Sequence, residues 1–174
     1  MTQVRVIKLG TKCRDTATEL SGTLTHWVIN QAGHVMYFFQ PRGLDDAGQP
    51  VKKIFLPADR LKTKEGDFET VDVPTEILGS DVEDSASGFK GKAVELIMHI
   101  NGCFHIGIQP TGKSQKTNEA IDRYDFDLRQ CIGEKIPRLT SEEKKKSTVQ
   151  NPSPTLGIST RDRAIQTNKT TRMH

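Results

Sequence analysis

One stretch of this chain occurs twice. Residues 9–41 read LGTKCRDTATELSGTLTHWVINQAGHVMYFFQP, and residues 78–110 read LGSDVEDSASGFKGKAVELIMHINGCFHIGIQP. A shift of 69 positions lays the first on the second without a gap. Leu9 and Gly10 fall on Leu78 and Gly79, Asp15 on Asp84, Ala17 on Ala86, Gly22 on Gly91, Gly33 on Gly102, and Gln40 and Pro41 on Gln109 and Pro110. Between these points the character is kept, since Leu20 meets Phe89, Val28 meets Ile97, Ile29 meets Met98 and Phe39 meets Ile108. The matches sit at turn glycines and apolar strand positions, where backbone geometry leaves least freedom. The chain therefore reads as a duplicated small β-domain.

Local patterning supports strands. Residues 4–9 are rich in β-branched side chains, although Ile7 is apolar where alternation asks for a polar residue. A strand over 23–30 turns at Gln31-Ala32-Gly33 and returns over 34–40, where Pro41 ends it because proline donates no ladder hydrogen bond. Residues 42–50 form a polar loop, 52–57 a short strand, and 58–61 one helical turn. The second copy repeats the plan, with strands over 91–100 and 103–109 around Asn101-Gly102, where both residues accept positive φ. A long loop over 111–119 leads to a last strand within 121–128. Strands this short and this closely spaced bury little as a flat sheet and suit a bent, partly closed barrel. The expected fold is all-β: two tandem SH3-like small β-barrel domains plus an extended C-terminal arm. Residues 1–61 form the first domain, 62–76 an extended linker, 77–136 the second domain, and 137–174 the arm. A split sandwich shared between the halves is the competing architecture.

Charge is distributed unevenly. The 174 residues carry 25 Lys and Arg against 22 Asp and Glu. Residues 137–174 hold eight of the basic and three of the acidic side chains, leaving 17 basic against 19 acidic residues in the body. The β-domains thus exert no overall pull on a phosphate backbone, and a nucleic-acid role belongs to the arm. The arm is poor in aromatics and rich in Ser, Thr, Pro and Lys, and in isolation it is expected to be disordered. Its apolar residues Leu156, Ile158 and Ile165 and its cations Arg138, Arg161, Arg163 and Arg172 are the candidates for gripping a partner. Cys13, Cys103 and Cys131 are odd in number and unevenly spaced, which reads as reduced thiols. No apolar run approaches membrane length or the form of a leader, so a soluble product of a cytoplasm is expected.

Catalytic and cofactor patterns are weak. His99, Cys103 and His105 come nearest to a metal cluster, but a zinc site needs a further ligand, usually in a recognisable pair. Nothing marks a base or an oxyanion hole for Cys13 or Cys103. Asp45, Asp46, Asp81, Glu83 and Asp84 are expected to be solvated surface groups rather than paired acid and base. The octapeptide GIQPTGKS at 107–114 fits the phosphate-loop pattern, yet Gly107 falls opposite Phe38 inside an expected strand, and Pro110 removes an N–H donor. No catalytic residue, metal or cofactor is assigned. Among the aromatics, Tyr37 and Phe39 share one strand face and are expected in the core, with Phe38 on the opposite face. Phe38, whose counterpart is Gly107, is therefore the body's candidate contact with a second surface, either the other half or another chain.

The residues Gly88-Phe89-Lys90-Gly91-Lys92-Ala93, Asn101-Gly102-Cys103 and Ile108-Gln109-Pro110 carry a resemblance. They resemble a group of small tailed-bacteriophage proteins that share Gly-Phe-x-Gly-x-hydrophobic, a strand, Asn-Gly-Cys, a strand, and Gln/Thr-Pro. The first copy departs from this pattern, with Glu19-Leu20 in place of Gly-Phe and Ala32-Gly33-His34 in place of Asn-Gly-Cys. The resemblance covers the repeats and not the arm, and it implies viral origin without naming a catalytic residue. The expectation is a non-enzymatic virion structural protein, made in the host cytoplasm, that cements or decorates the capsid or serves at the head–tail junction. Its partners would be capsid or other virion proteins in a homo- or hetero-oligomeric assembly, without membrane. The alternative is an intracellular phage protein that binds host nucleic acid through the basic arm, or a host factor.

Overall fold

Glycines, prolines and short Asp, Asn, Ser and Thr turns punctuate the chain into strands of 2 to 10 residues. The computed structural model describes residues 1–136, and these belong to one compact unit. In chain order the strands are β1 (Thr2–Ile7), β2 (Lys12–Asp15), β3 (Ser21–Asn30), β4 (Val35–Pro41), β5 (Ile54–Pro57), β6 (Leu61–Lys62), β7 (Phe68–Val73), β8 (Asp81–Asp84), β9 (Lys90–His99), β10 (Phe104–Gln109), β11 (Tyr124–Asp127) and β12 (Cys131–Ile132). The helical content of the described residues is confined to single 3-10 turns at Ala58–Arg60, Glu65–Asp67, Thr75–Ile77 and Leu128–Gln130. The protein is all-β, and its sheets are open rather than closed.

The elements β2 to β6 recur as β8 to β12 with the same local hydrogen bonds. Gly10 N–H donates to Leu24 O at 2.8 Å, and Gly79 N–H to Ala93 O at 2.7 Å. The Gln40 side-chain amide donates to Val51 O at 2.6 Å, and that of Gln109 to Ile121 O at 2.6 Å. A bulge after Leu24 in β3 recurs after Ala93 in β9. The second copy has a loop one residue longer, so beyond it the correspondence runs at 70 positions and Leu61 matches Cys131.

The copies are joined by strand pairing. β3 and β9 lie antiparallel, with His26 opposite His99, Trp27 opposite Met98, Val28 opposite Ile97, Ile29 opposite Leu96 and Asn30 opposite Glu95. Val28 and Ile97 are counterparts at the 69-residue shift. An antiparallel ladder centred on a residue and its own counterpart is what a two-fold axis through that pair generates. The result is a run of six strands, β5-β4-β3-β9-β10-β11. β2 and β6 extend it from one copy, and β8 and β12 from the other.

One face of this sheet carries the core. Leu24, Trp27, Ile29, Tyr37, Phe39 and Leu56 join Ala93, Leu96, Ile106 and Ile108 in a single buried cluster. β1 and β7 pair separately as a two-stranded ribbon and add Val6, Ile7 and Val73 to it. Ile7 breaks the alternation of β1 because it is buried together with Val6, and its N–H donates to the buried Tyr37 hydroxyl at 2.9 Å. The segment 62–76, expected as a connector, contains β7, whose Phe68 and Val71 pack against the core. The hairpin at Asn101-Gly102 also differs from expectation. Gly102 has φ +83°, whereas Asn101 stays at negative φ and accepts the Cys103 N–H on Oδ1 at 3.1 Å. With the glycine alone left-handed and His99 paired with Cys103, this is the longer glycine-bulge hairpin.

Candidate interaction face

Alternation along β3, β4, β9 and β10 sends every second side chain away from the core, onto a face that β1 and β7 leave uncovered. Register then fixes the neighbours. Along the row through the two-fold axis stand Pro57, Met36, Val28, Ile97, His105 and Asp127. Val28 and Ile97 are 3 % and 5 % exposed yet lie outside the core cluster, so side chains of this second face cover them.

On either side of that row the two copies part company. In one flanking row Phe55, Phe38, His26 and His99 stand side by side. The symmetry-related row holds Asp125, Gly107, Glu95 and Asn30. The first row is aromatic. Phe38 stacks on Phe55 with ring centroids 4.8 Å apart and meets the edge of His26 at 5.6 Å. Phe55 is 46 % exposed. The second row is ionic, for the missing side chain at Gly107 leaves room for Arg123. A β-carbon at Gly107 would stand 3.0 Å from Arg123 Cδ. Arg123 pairs with Glu95 and reaches Asp125 at 3.3 Å.

Three histidines mark the boundary. The rings of His26 and His99 have centroids 4.2 Å apart, and those of His99 and His105 4.3 Å apart. The Thr25 hydroxyl lies 2.7 Å from His26 Nδ1 and donates to Phe38 O at 3.3 Å. Burial, with His99, Lys53 and His105 nearby, holds the His26 imidazole down to about 4. Burial and His105 lower His99 as well. Both rings are therefore neutral at pH 7. Among the described residues no group of three or more His, Cys, Asp or Glu is arranged to hold a metal ion.

The other sequence-derived candidates fall as follows. Phe38 lies on the exposed face, half-buried against Phe55 and His26, while Tyr37 and Phe39 are in the core. Arg138, Leu156, Ile158, Arg161, Arg163, Ile165 and Arg172 lie outside the described residues. Residues 107–114 continue β10 into a loop that leads to strand β11, not to a helix that would face a phosphate. Cys13 and Cys131 are buried, and burial raises both thiols to about 11, so neither is a thiolate at neutral pH. A shallow depression lined by Thr2, Val4, Asn30, Gln31, Thr75 and Leu78 brings together no titratable cluster. No helix among the described residues is long and apolar enough to cross a membrane.

Asp84 corrects one expectation. It is 2 % exposed rather than a solvated surface group, as is its counterpart Asp15 at 0 %. Each ends a short strand and folds its carboxylate back onto the following turn. Asp15 accepts from the Thr18 hydroxyl at 2.6 Å, and Asp84 from the Ser87 hydroxyl at 2.6 Å and the Ser87 N–H at 2.7 Å. Sequence reasoning missed both, although Asp-x-x-Thr/Ser recurring at equivalent places in the repeat was the available signal. It also missed His26, which only the β3–β9 register brings to His99. Comparison with protein-family models, with curated proteins and with solved structures finds no match.

Proposed function

We propose that this chain is a non-enzymatic binding protein of a tailed-phage particle, in which two SH3-like modules fused edge to edge dock on neighbouring virion subunits through the face bearing Phe38 and Phe55. The observation that carries this reading is the divergence of that face. Inside the molecule the copies keep matched glycines, glutamines and apolar positions. Outside, one copy presents aromatic rings where the other presents Arg123, Glu95 and Asp125. A stacked, partly exposed aromatic pair contributes little to folding compared with its burial under a partner, and such residues dominate protein interfaces. Capsid cementing or decoration suits a small module of this kind, with head–tail attachment as the related role. Residues 137–174 add a tethered second contact, which raises effective concentration at the docking site.

The test is the double variant Phe38→Ser with Phe55→Ser. It folds and melts close to the parent chain, because neither ring belongs to the core cluster, and it is lost from purified particles. Normal incorporation of the folded variant contradicts the reading. A second reading, nucleic-acid binding inside the host cell, is favoured by the net +5 of residues 137–174. It requires affinity that falls steeply with salt, whereas aromatic docking responds little.

A further inference from the structure

The two buried aspartates are solved differently by the two copies. In the first, Arg60 reaches back to Asp15, with Nε 3.0 Å from Oδ1 and Nη2 2.6 Å from Oδ2. Its backbone carbonyl meanwhile accepts from Thr16 N–H at 2.8 Å. The second copy keeps that backbone contact, since Ser85 N–H donates to Gln130 O at 3.0 Å and the Ser85 hydroxyl to the same oxygen at 2.6 Å. Gln130 thus stands in the place of Arg60 and is itself exposed. Asp84 Oδ2 is held by Ser87, whereas buried Asp84 Oδ1 has no hydrogen-bond partner among the described residues. The neighbouring arginines are engaged elsewhere, Arg129 with Asp127 and Arg123 with Glu95 and Asp125.

We propose that the Asp84 turn is a binding site for a guanidinium group, filled by an arginine side chain of a partner polypeptide in the position that Arg60 occupies within the first copy. The first copy supplies the geometry: the entering group places Nε on Oδ1 and a terminal nitrogen on Oδ2, as Arg60 does on Asp15. A planar two-pronged donor matches both oxygens at once, which an ammonium does not. The carboxylate is ready for it, because the Ser87 hydroxyl and N–H hold Asp84 below the usual range and keep it ionised at neutral pH. The Ala86 N–H also favours the ionised form, yet Oδ1 keeps unused acceptor capacity, and a buried carboxylate oxygen short of donors is stabilised when a guanidinium arrives. The inference does not depend on the aromatic face, so either site can fail alone.

The probe is N-acetylarginine methylamide, titrated into the full chain while the NMR resonances of the Ala86 and Ser87 amides and the Asp84 carboxyl carbon are followed. The expected result is a saturable shift of these three resonances, about tenfold weaker with the lysine analogue. Gln130→Arg, which rebuilds the first-copy pair, abolishes the response and raises the melting temperature. Gln130→Ala, which shortens the exposed side chain and adds no guanidinium, retains it. Equal response to the lysine analogue, no saturable shift in the parent chain, or an unchanged response in Gln130→Arg overturns the proposal.

Discussion

At Gly22 a β-carbon would stand 2.3 Å from Gln40 O, and at Gly91 a β-carbon would stand 2.3 Å from Gln109 O. Neither obstacle is the movable tip of a side chain, so the backbone itself must shift. Gly22→Ala and Gly91→Ala each cost about 3 kcal/mol or more, read as a fall in denaturant midpoint. The carbonyl contact is common to both sites, and at Gly22 the Phe39 ring, 2.6 Å from the same β-carbon, adds to the loss. Tyr37 makes a different kind of contact, joining the ribbon to the main sheet by accepting Ile7 N–H in a buried setting. Tyr37→Phe keeps the ring and orphans that donor, at about 1–3 kcal/mol by chemical denaturation. A loss below experimental error removes this bond from the account. Arg60→Gln copies the second-copy arrangement into the first and lowers the melting temperature by stripping Asp15 of its partner. Arg60 and Thr18 hold Asp15 down to about 2. That carboxylate therefore adds stability which is present above the ordinary aspartate pKa and is lost as pH falls through about 2.

Among the elements, the β3–β9 ladder decides the architecture and also sets a pH dependence. The folded His26 titrates near 4, well below the free imidazole at 6.5. The unfolded chain therefore takes up protons first, and stability falls as pH drops below 6.5, with the loss complete below about 4. His99 adds to the same slope, since its pKa is also lowered. The melting temperature should drop between neutral pH and pH near 5, and His26→Gln should remove part of that slope. An unchanged slope contradicts the placement of these rings. The grouping of His99 with His105 was legible in the sequence, but the His26–His99 contact was not, because the two are far apart along the chain and only register joins them. The strands themselves were legible, since turn glycines and β-branched runs mark them locally. β7 was obscured by its polar surroundings: Glu69, Thr70 and Asp72 read as connector, while Phe68, Val71 and Val73 are the side chains that bury. Asp84 was misread because its carboxylate is hidden by its own turn, which composition and spacing of acidic residues do not register.

At the scale of the whole described body, residues 1–136 are a duplicated β-unit whose copies share one sheet about the Val28–Ile97 pair and differ on its open face. Repetition was plain from the sequence because glycine and core positions tolerate little change. The fusion through β3 and β9 was not, since Val28 and Ile97 suit an interior or an interface equally. Symmetry inside and asymmetry outside is the pattern expected when folding constrains one face and a partner shapes the other. The proposed function therefore stands or falls on where the protein resides. Under that proposal, quantitative mass spectrometry of purified phage particles gives its copy number directly. The account predicts a fixed whole-number copy number per particle that collapses in the Phe38→Ser, Phe55→Ser variant. Absence from particles alongside abundant protein in the infected-cell lysate would contradict it.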